Sequence, residues 1–320
     1  MAVYTPVSAE QMAALLLHYD AGTLRSAKGI AEGVENSNYL VETDRTRFIL
    51  TLYEKRVERG DLPFFFALLD HLADRGLAVP RAVRGHDGVQ LRQVSGRPAC
   101  LIEFLSGVSV TRPTPAQAGA TGRALGRMHR ALADFPGERP NAMGPAGWHD
   151  LAARCGTGLE AIAPGLAARV ADELGWIDAH WPADLPRAVI HADLFPDNVL
   201  MLEDEVTGII DFYFACSEVR AWDLAVTHSA WCFAPDGTGF DPAIAAALVT
   251  GYHEAFGLSD AERAAMPALL RGAALRFLLT RAWDWVNTPA DAVVTRKDPL
   301  AFSRRLDFYR DRPDAWEGRA

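Results

Sequence analysis

His191-Ala192-Asp193-Leu194-Phe195-Pro196-Asp197-Asn198, followed by Asp211-Phe212-Tyr213, carries the strongest signal in this chain of 320 residues. Asp193 and Asn198 keep the D-x-x-x-x-N spacing of a phosphoryl-transfer catalytic loop. Between Asn198 and Asp211 the pattern is that of a hairpin. Val199 to Leu202 is one apolar run, Glu203-Asp204-Glu205 a polar turn, and Val206 to Ile210 the return run. A hairpin folds the chain back, so Asp211 is expected beside Asn198. Two oxygen ligands side by side suit a hard cation such as Mg²⁺ on nucleotide phosphates. Asp193 is then the carboxylate that accepts a proton from a substrate hydroxyl.

Taken singly, these residues have ordinary readings. An Asp-Phe pair is a common strand end, a His before Asp is commonly a packed or capping residue, and Pro196-Asp197-Asn198 is an ordinary turn. The spacing, the hairpin and the second Asp-Phe must all be accidental together for the ordinary reading to hold.

Composition places few limits. Apolar residues make up 49% and charged residues 23%, as in soluble globular proteins. A net charge of -9 gives no electrostatic footprint for nucleic acid. Cys100, Cys155, Cys216 and Cys232 are scattered without a C-x-x-C pair, so buried thiols are expected rather than a zinc cluster or a disulfide framework. The start, Met1-Ala2-Val3-Tyr4-Thr5-Pro6, lacks a basic and an apolar signal region. No apolar stretch approaches the roughly 20 residues of a membrane span. A cytoplasmic protein without membrane or nucleic-acid partners is expected.

Two regions of different texture follow from the patterning. Ser8 with Gln11 predicts a capping-box start to a helix over 8–20. Residues 27–53 read as a three-stranded antiparallel meander, with a loop Gly33-Val34-Glu35-Asn36-Ser37-Asn38 between the first two strands. A helix opens at Pro63 and closes at Gly76. Val89 to Val94 and Ala99 to Phe104 read as two more strands. Ser106-Gly107 breaks the pattern, so a small sheet-rich lobe is expected over 1–104 and a larger helical lobe over 105–320. Helices are expected over 114–133, twice within 151–181, and from Trp222 to about Arg310. Loops are expected at 137–150, 233–241 and 287–299. This is an α+β, bilobal, protein-kinase-like arrangement, with a nucleotide expected in the cleft between the lobes.

Asn36, Ser37 and Asn38 can supply donors to phosphates, although their loop is neither G-x-G-x-x-G nor a P-loop. A departure lies in the third strand. Protein kinases place a Lys there, whereas here the inward position is Thr51; Lys55, Arg56, Arg47 and Lys28 are the cations at hand.

With these residues in place, the chain resembles the choline kinase and aminoglycoside phosphotransferase superfamily, whose His-x-Asp-x-x-x-x-Asn motif matches 191–198. Within it, the chain is most similar to kinase-like bacterial homoserine kinases. The matching stretches are FILTLYEKR (48–56), LPFFFALLDHLADRGLAVP (62–80), GRPACLIEFLSG (96–107), RAVIHADLFPDNVLM (187–201), GIIDFYFACSEVRAWDLA (208–225) and TRKDPLAFSRRLDFYR (295–310). The resemblance implies ATP and Mg²⁺ as cofactors. It implies Asp193 as catalytic base, His191 as the residue orienting the loop, and Asn198 and Asp211 as metal ligands. It implies Asp223 as a structural residue holding the loop. It also implies adenine binding through backbone groups near Glu103 and Leu105. The activity implied is transfer of the ATP γ-phosphate to L-homoserine, a step of threonine biosynthesis.

The acceptor pocket is read from charge. Homoserine is a zwitterion and needs both an anion partner and a cation partner. Residues 271–320 hold ten Lys/Arg and seven Asp/Glu, a local +3 in an acidic chain, which leans away from a polycationic aminoglycoside. Arg276, Arg281 and Arg296 are candidates for the carboxylate, and Asp284 and Asp291 for the ammonium group. Trp231, Trp283 and Trp285 are candidate walls. The alternatives are a kinase of the same fold for choline, ethanolamine or an aminoglycoside, a nucleotide-binding pseudokinase, and a metallohydrolase. The last needs more His ligands than the motif offers.

Overall fold

Capping, turn and periodicity signals account for most elements of the structure, a computed structural model that describes residues 4–30, 36–54, 58–182, 184–288 and 296–318. By internal contacts the chain separates into two compact units, one ending at Ser106 and one beginning at Gly107.

The first unit opens with α1 (Ala9–Leu16). Ser8 accepts from the Gln11 N–H while the Gln11 side chain accepts from the Ser8 N–H, the reciprocal pair expected from the sequence. Then come β1 (Leu24–Gly29), β2 (Asn36–Thr43), β3 (Arg47–Tyr53), α2 (Leu62–Asp74), β4 (Arg92–Val94) and β5 (Arg97–Glu103). The strands form one antiparallel sheet in the order β1-β2-β3-β5-β4. One face buries Tyr39, Val41, Leu50 and Leu101 against Met12, Leu15 and Leu16 of α1. Pro63 sits in the first turn of α2, and Gly76 takes the left-handed φ of +79° just past its end. Two expectations change here. The sequence run Val89–Val94 pairs only from Arg92. The loop expected to run to Asn38 is already strand at Asn36, which pairs with Tyr53.

The second unit carries α3 (Pro115–Ala131), α4 (Pro145–Cys155), α5 (Gly158–Ile162), α6 (Leu166–His180), β6 (Arg187–Ile190), β7 (Val199–Leu202), β8 (Glu205–Ile209), β9 (Cys216–Val219), α7 (Arg220–Trp231), α8 (Pro242–Ala255), α9 (Asp260–Asn287) and α10 (Leu300–Asp311). The loop expected over 137–150 gives way to helix at Pro145, because Pro there pre-sets the φ of a first turn. The pairing of β6 with β9 was not anticipated. Its partners lie far apart in sequence, and each run is only four residues long. Helix α7 is buried from Ala221 to Trp231 and forms the centre of the unit. Helices α3 and α8 approach closely through glycines: a Cβ on Gly122 would lie 2.1 Å from the Leu248 carbonyl oxygen.

The four cysteines are buried and free, as expected from their spacing. Among the described residues no helix is long and apolar enough to cross a membrane.

Candidate active site

Four short strands present the motif residues. Strand β6 ends at Ile190 and delivers His191; the loop closes in a 3₁₀ turn, Pro196–Asn198, that leads straight into β7. The β7–β8 hairpin returns in register, with Val199 opposite Ile209, and the Ile210 N–H donates to the Asn198 carbonyl at 3.0 Å. Asp211 follows immediately, in the left-handed region at φ +65°, ψ +60°. Asp tolerates that conformation better than most residues. The hairpin thus brings Asp211 to the residue pair that closes the loop, as the sequence pattern predicts.

The loop backbone is almost fully accounted for. The His191 and Ala192 N–H groups donate to the two carboxylate oxygens of Asp223, each at 2.8 Å. The Ala192 carbonyl accepts from Arg276 Nη1. The Asp193 N–H donates to His191 Nδ1 at 3.2 Å, and the Asp193 carbonyl accepts from Asn198 Nδ2 at 2.7 Å. The Leu194 carbonyl accepts from Trp231 Nε1 at 3.0 Å. Buried backbone groups need such partners. Here five side chains supply them and leave the loop one shape.

That shape sets the electrostatics. His191 Nδ1 accepts a hydrogen bond and Nε2 donates to the Ile210 carbonyl at 3.0 Å, which describes the neutral ring. Burial pushes its pKa down, with the Arg276 charge acting the same way against the pull of Asp223. Both nitrogens of the ring are engaged, one by the Asp193 N–H and one by the Ile210 carbonyl. For Asp223, burial acts to raise the pKa, but the hydrogen bond and charge of His129 and the His191 ring and N–H outweigh it, and the net direction is down. His129 Nε2 lies 3.0 Å from Asp223 Oδ2, and its Nδ1 lies 2.9 Å from the Tyr252 hydroxyl. Arg276 is 2% exposed, ringed by Phe214, Trp222 and Phe277, and burial lowers its pKa.

Asp193 and Asn198 face each other. Asn198 Nδ2 donates to Asp193 Oδ2 at 3.2 Å as well as to the Asp193 carbonyl. Spending the amide nitrogen this way fixes the amide plane and leaves Asn198 Oδ1 as the acceptor of the pair. Among the described residues no group of three or more His, Cys, Asp or Glu gathers as a metal cage. A Mg²⁺ on nucleotide phosphates needs no cage, since one or two protein oxygens suffice beside phosphate and water. An amide oxygen and a carboxylate at adjoining ends of one hairpin fit that ion.

Residues 26–266 match the family model described as "Phosphotransferase enzyme family". The chain belongs to the phosphotransferase enzyme family. Among phosphotransferase relatives, a homoserine kinase of Zymomonas mobilis is 56% identical over 313 residues, covering 97% of this chain and 98% of the relative. A homoserine kinase of Xanthobacter autotrophicus is 52% identical over 309 residues, covering 97% and 96%. Of solved structures, an amicoumacin kinase in complex with AMP-PNP and Ca²⁺ matches with a TM-score of 0.69 at 16% identity, covering 94% of this chain and 92% of that one. A choline kinase from Cryptosporidium parvum matches with a TM-score of 0.65 at 13% identity, covering 96% and 95%. At such identities the likeness is one of fold: the expected α+β, protein-kinase-like class.

The other expected site residues of this phosphotransferase separate by surroundings. Arg276, expected at a substrate carboxylate, is a buried brace on Ala192 instead, because its guanidinium is taken by the loop. Arg281 is half-buried, and the Asp193 and Asp197 charges act on it. Arg296 lies over the exposed Trp285 and donates to its carbonyl at 3.3 Å, so these two engage each other. Asp284 is half-buried on α9. Trp231 is a core residue that holds Leu194, and the Trp283 ring carries the Arg154 guanidinium.

In the first unit, Ser37 and Asn38 are strand residues with occupied side chains. Ser37 Oγ donates to Glu54 Oε1 at 2.7 Å and accepts from the N–H groups of Tyr4 and Thr5. Asn38 Oδ1 accepts from Thr51 Oγ1 at 2.8 Å, which accounts for Thr51 at the inward position. Asn36 Oδ1 is buried without a partner among the described residues. Glu103 ends β5, exposed, and Leu105 is half-buried. Arg47 stacks on Phe104 at 4.4 Å. Lys55, Arg56, Asp291 and the loop residues Gly33–Glu35 lie outside the described residues. His129 and Tyr252 were not anticipated; nothing local marks them, since they reach Asp223 from distant helices.

Proposed function

We propose that this phosphotransferase moves the γ-phosphate of ATP to the hydroxyl of L-homoserine, giving O-phospho-L-homoserine, the step that leads toward threonine. The observation that carries the reading is the loop in which Asn198 clamps Asp193, in a chain so similar over its whole length to homoserine kinases. Asp193 orients the attacking hydroxyl and takes its proton. His191 and Asp223 hold the loop and transfer nothing. Mg²⁺, held by Asn198 Oδ1 and Asp211, would offset the charge that develops on the phosphate oxygens. In such reactions catalysis is mostly positioning and electrostatics, which is why so many side chains are committed to the shape of one loop. We place the reaction in the cytoplasm, with a small-molecule acceptor and neither nucleic acid nor membrane as a partner. The test is direct: incubate the purified protein with Mg-ATP and L-homoserine and identify the product by mass and ³¹P resonance. ADP release that does not depend on homoserine would defeat the proposal.

A further inference from the structure

We propose that Arg281, backed by Arg305 on the ring of Phe302, is the seat of the acceptor's carboxylate and the reason an amino-acid alcohol is chosen over a plain amino alcohol. This rests on the reaction proposed above and deepens it.

The geometry is unusual in one respect. Two guanidinium groups share a single aromatic ring: Arg281 lies 4.5 Å and Arg305 4.2 Å from the Phe302 centroid. Neither has a carboxylate partner at ion-pair distance among the described residues. Arg281 Nη1 donates to the Asp298 carbonyl at 3.2 Å. Arg305 donates to the carbonyls of Ser229 and Ala234, and its Nε is buried without a partner. Like charges held close, out of water and without a carboxylate at ion-pair distance, cost stability. Burial pushes both down to about 10, and Arg305 adds to the depression of Arg281. An arriving anion relieves both effects at once. Arg suits a carboxylate because its planar fork matches two oxygens.

The place is also right. Phe302 packs 6.2 Å from Phe195 of the catalytic loop, and both rings touch Phe277. The Asp193 and Asp197 charges reach Arg281. The other arginines of this region are already engaged, Arg276 by its bond to Ala192 and Arg296 by the exposed Trp285, whose ring it covers and whose carbonyl it bonds. Arg281 is half-buried, and so open to a ligand while dry enough to value its charge.

The test compares kcat/KM for L-homoserine with that for 3-aminopropan-1-ol, the same molecule without its carboxylate, in the unaltered protein and in Arg281→Met. The expected result is a preference for homoserine that falls by roughly 10- to 100-fold in the variant, the range for losing a hydrogen bond to a charged group. Most of the loss should appear in KM, with partial recovery in Arg281→Lys. A preference within twofold of the unaltered protein overturns the seat and leaves the reaction standing. If the unaltered protein turns over another alcohol and not homoserine, the reaction assignment fails. The seat then fails too if that alcohol has no carboxylate, and survives if it has one and Arg281→Met loses it. Should Arg281→Met not fold, calorimetry on the unaltered protein decides: homoserine amide binding as tightly as homoserine overturns the proposal.

Discussion

Asp223 Oδ1 lies 2.8 Å from the N–H of Ala192, a residue held in the left-handed region at φ +63°. An alanine there costs about 1–2 kcal/mol, and a charge-assisted hydrogen bond on each of two successive N–H groups offsets it. The carboxylate of α7 is therefore what keeps the catalytic loop in its working shape. Asp223→Ala leaves two buried N–H groups and His129 without their acceptor. We expect a loss of about 3–5 kcal/mol, the scale for breaking a buried pair, together with a collapse of turnover. Urea unfolding and a coupled assay check both. A variant as stable as the parent would show that the loop is held some other way.

Asp193→Asn should behave differently. It keeps the volume and the Asn198 contact through its own amide oxygen, but it cannot take a proton. Turnover should fall by roughly 10²–10⁴, the usual contribution of a positioned base, while the unfolding midpoint stays near that of the parent. Near-normal turnover would remove Asp193 from the mechanism.

Asp211→Ala should weaken Mg-nucleotide binding by roughly tenfold or more while leaving the binding of metal-free nucleotide little altered, since the carboxylate acts through the cation. Titration calorimetry with and without Mg²⁺ separates the two. Equal losses under both conditions would mean that residue 211 shapes the site and does not ligate the ion.

What the sequence discloses and what it conceals follow from distance along the chain. The return of the chain from Asn198 to Asp211 was legible because one hairpin connects them, and the β7–β8 register runs as the apolar pattern predicts. The capping box at Ser8 and the Pro63 and Gly76 boundaries were legible for the same reason. Contacts between remote elements were not. The His129 contact to Asp223 spans 94 residues and the Arg276 contact to Ala192 spans 84. Arg276 shows the consequence: a basic residue in a positively charged segment reads as a ligand for substrate, and only its burial and its bond to Ala192 reveal a brace. Asn36 to Asn38 misled in another way, because polar residues after a glycine look like loop even when a strand buries them.

Acid should unfold this protein through its buried histidines. His228 Nδ1 lies 2.8 Å from the Tyr309 hydroxyl and Nε2 lies 3.1 Å from the Trp316 carbonyl; burial pushes its pKa from 6.5 down to about 3. The folded state thus binds a proton less readily than the unfolded chain. Stability is full above the unfolded value and is lost as pH falls from about 6.5 toward 3. At pH 5 the loss from this residue is roughly 2 kcal/mol. His191 shifts in the same direction. His228→Gln should flatten the decline between pH 6.5 and 4 in urea titrations. An equally steep decline in the variant would place the acid sensitivity elsewhere.

The contact between α3 and α8 depends on having no side chain at two points. A Cβ at Gly122 would meet the Leu248 oxygen at 2.1 Å, and one at Gly251 would meet the Gly119 oxygen at 2.1 Å. Neither obstacle is a flexible side chain that can swing aside; both are backbone. In an exposed helix Gly→Ala stabilises by about 1 kcal/mol through propensity. At Gly122 the added methyl must push two helices apart, at a cost typical of overpacking, about 1–3 kcal/mol. The sign of the change therefore tests the packing itself. Helix α3 also carries His129, so separation of the helices should loosen the bond to Asp223 and with it the loop. We expect Gly122→Ala to lower the unfolding midpoint and turnover together. Gly175→Ala, on α6 where an added Cβ has open space, should be neutral or stabilising. A Gly122→Ala protein more stable than its parent would mean that the two helices pack less closely than these distances require.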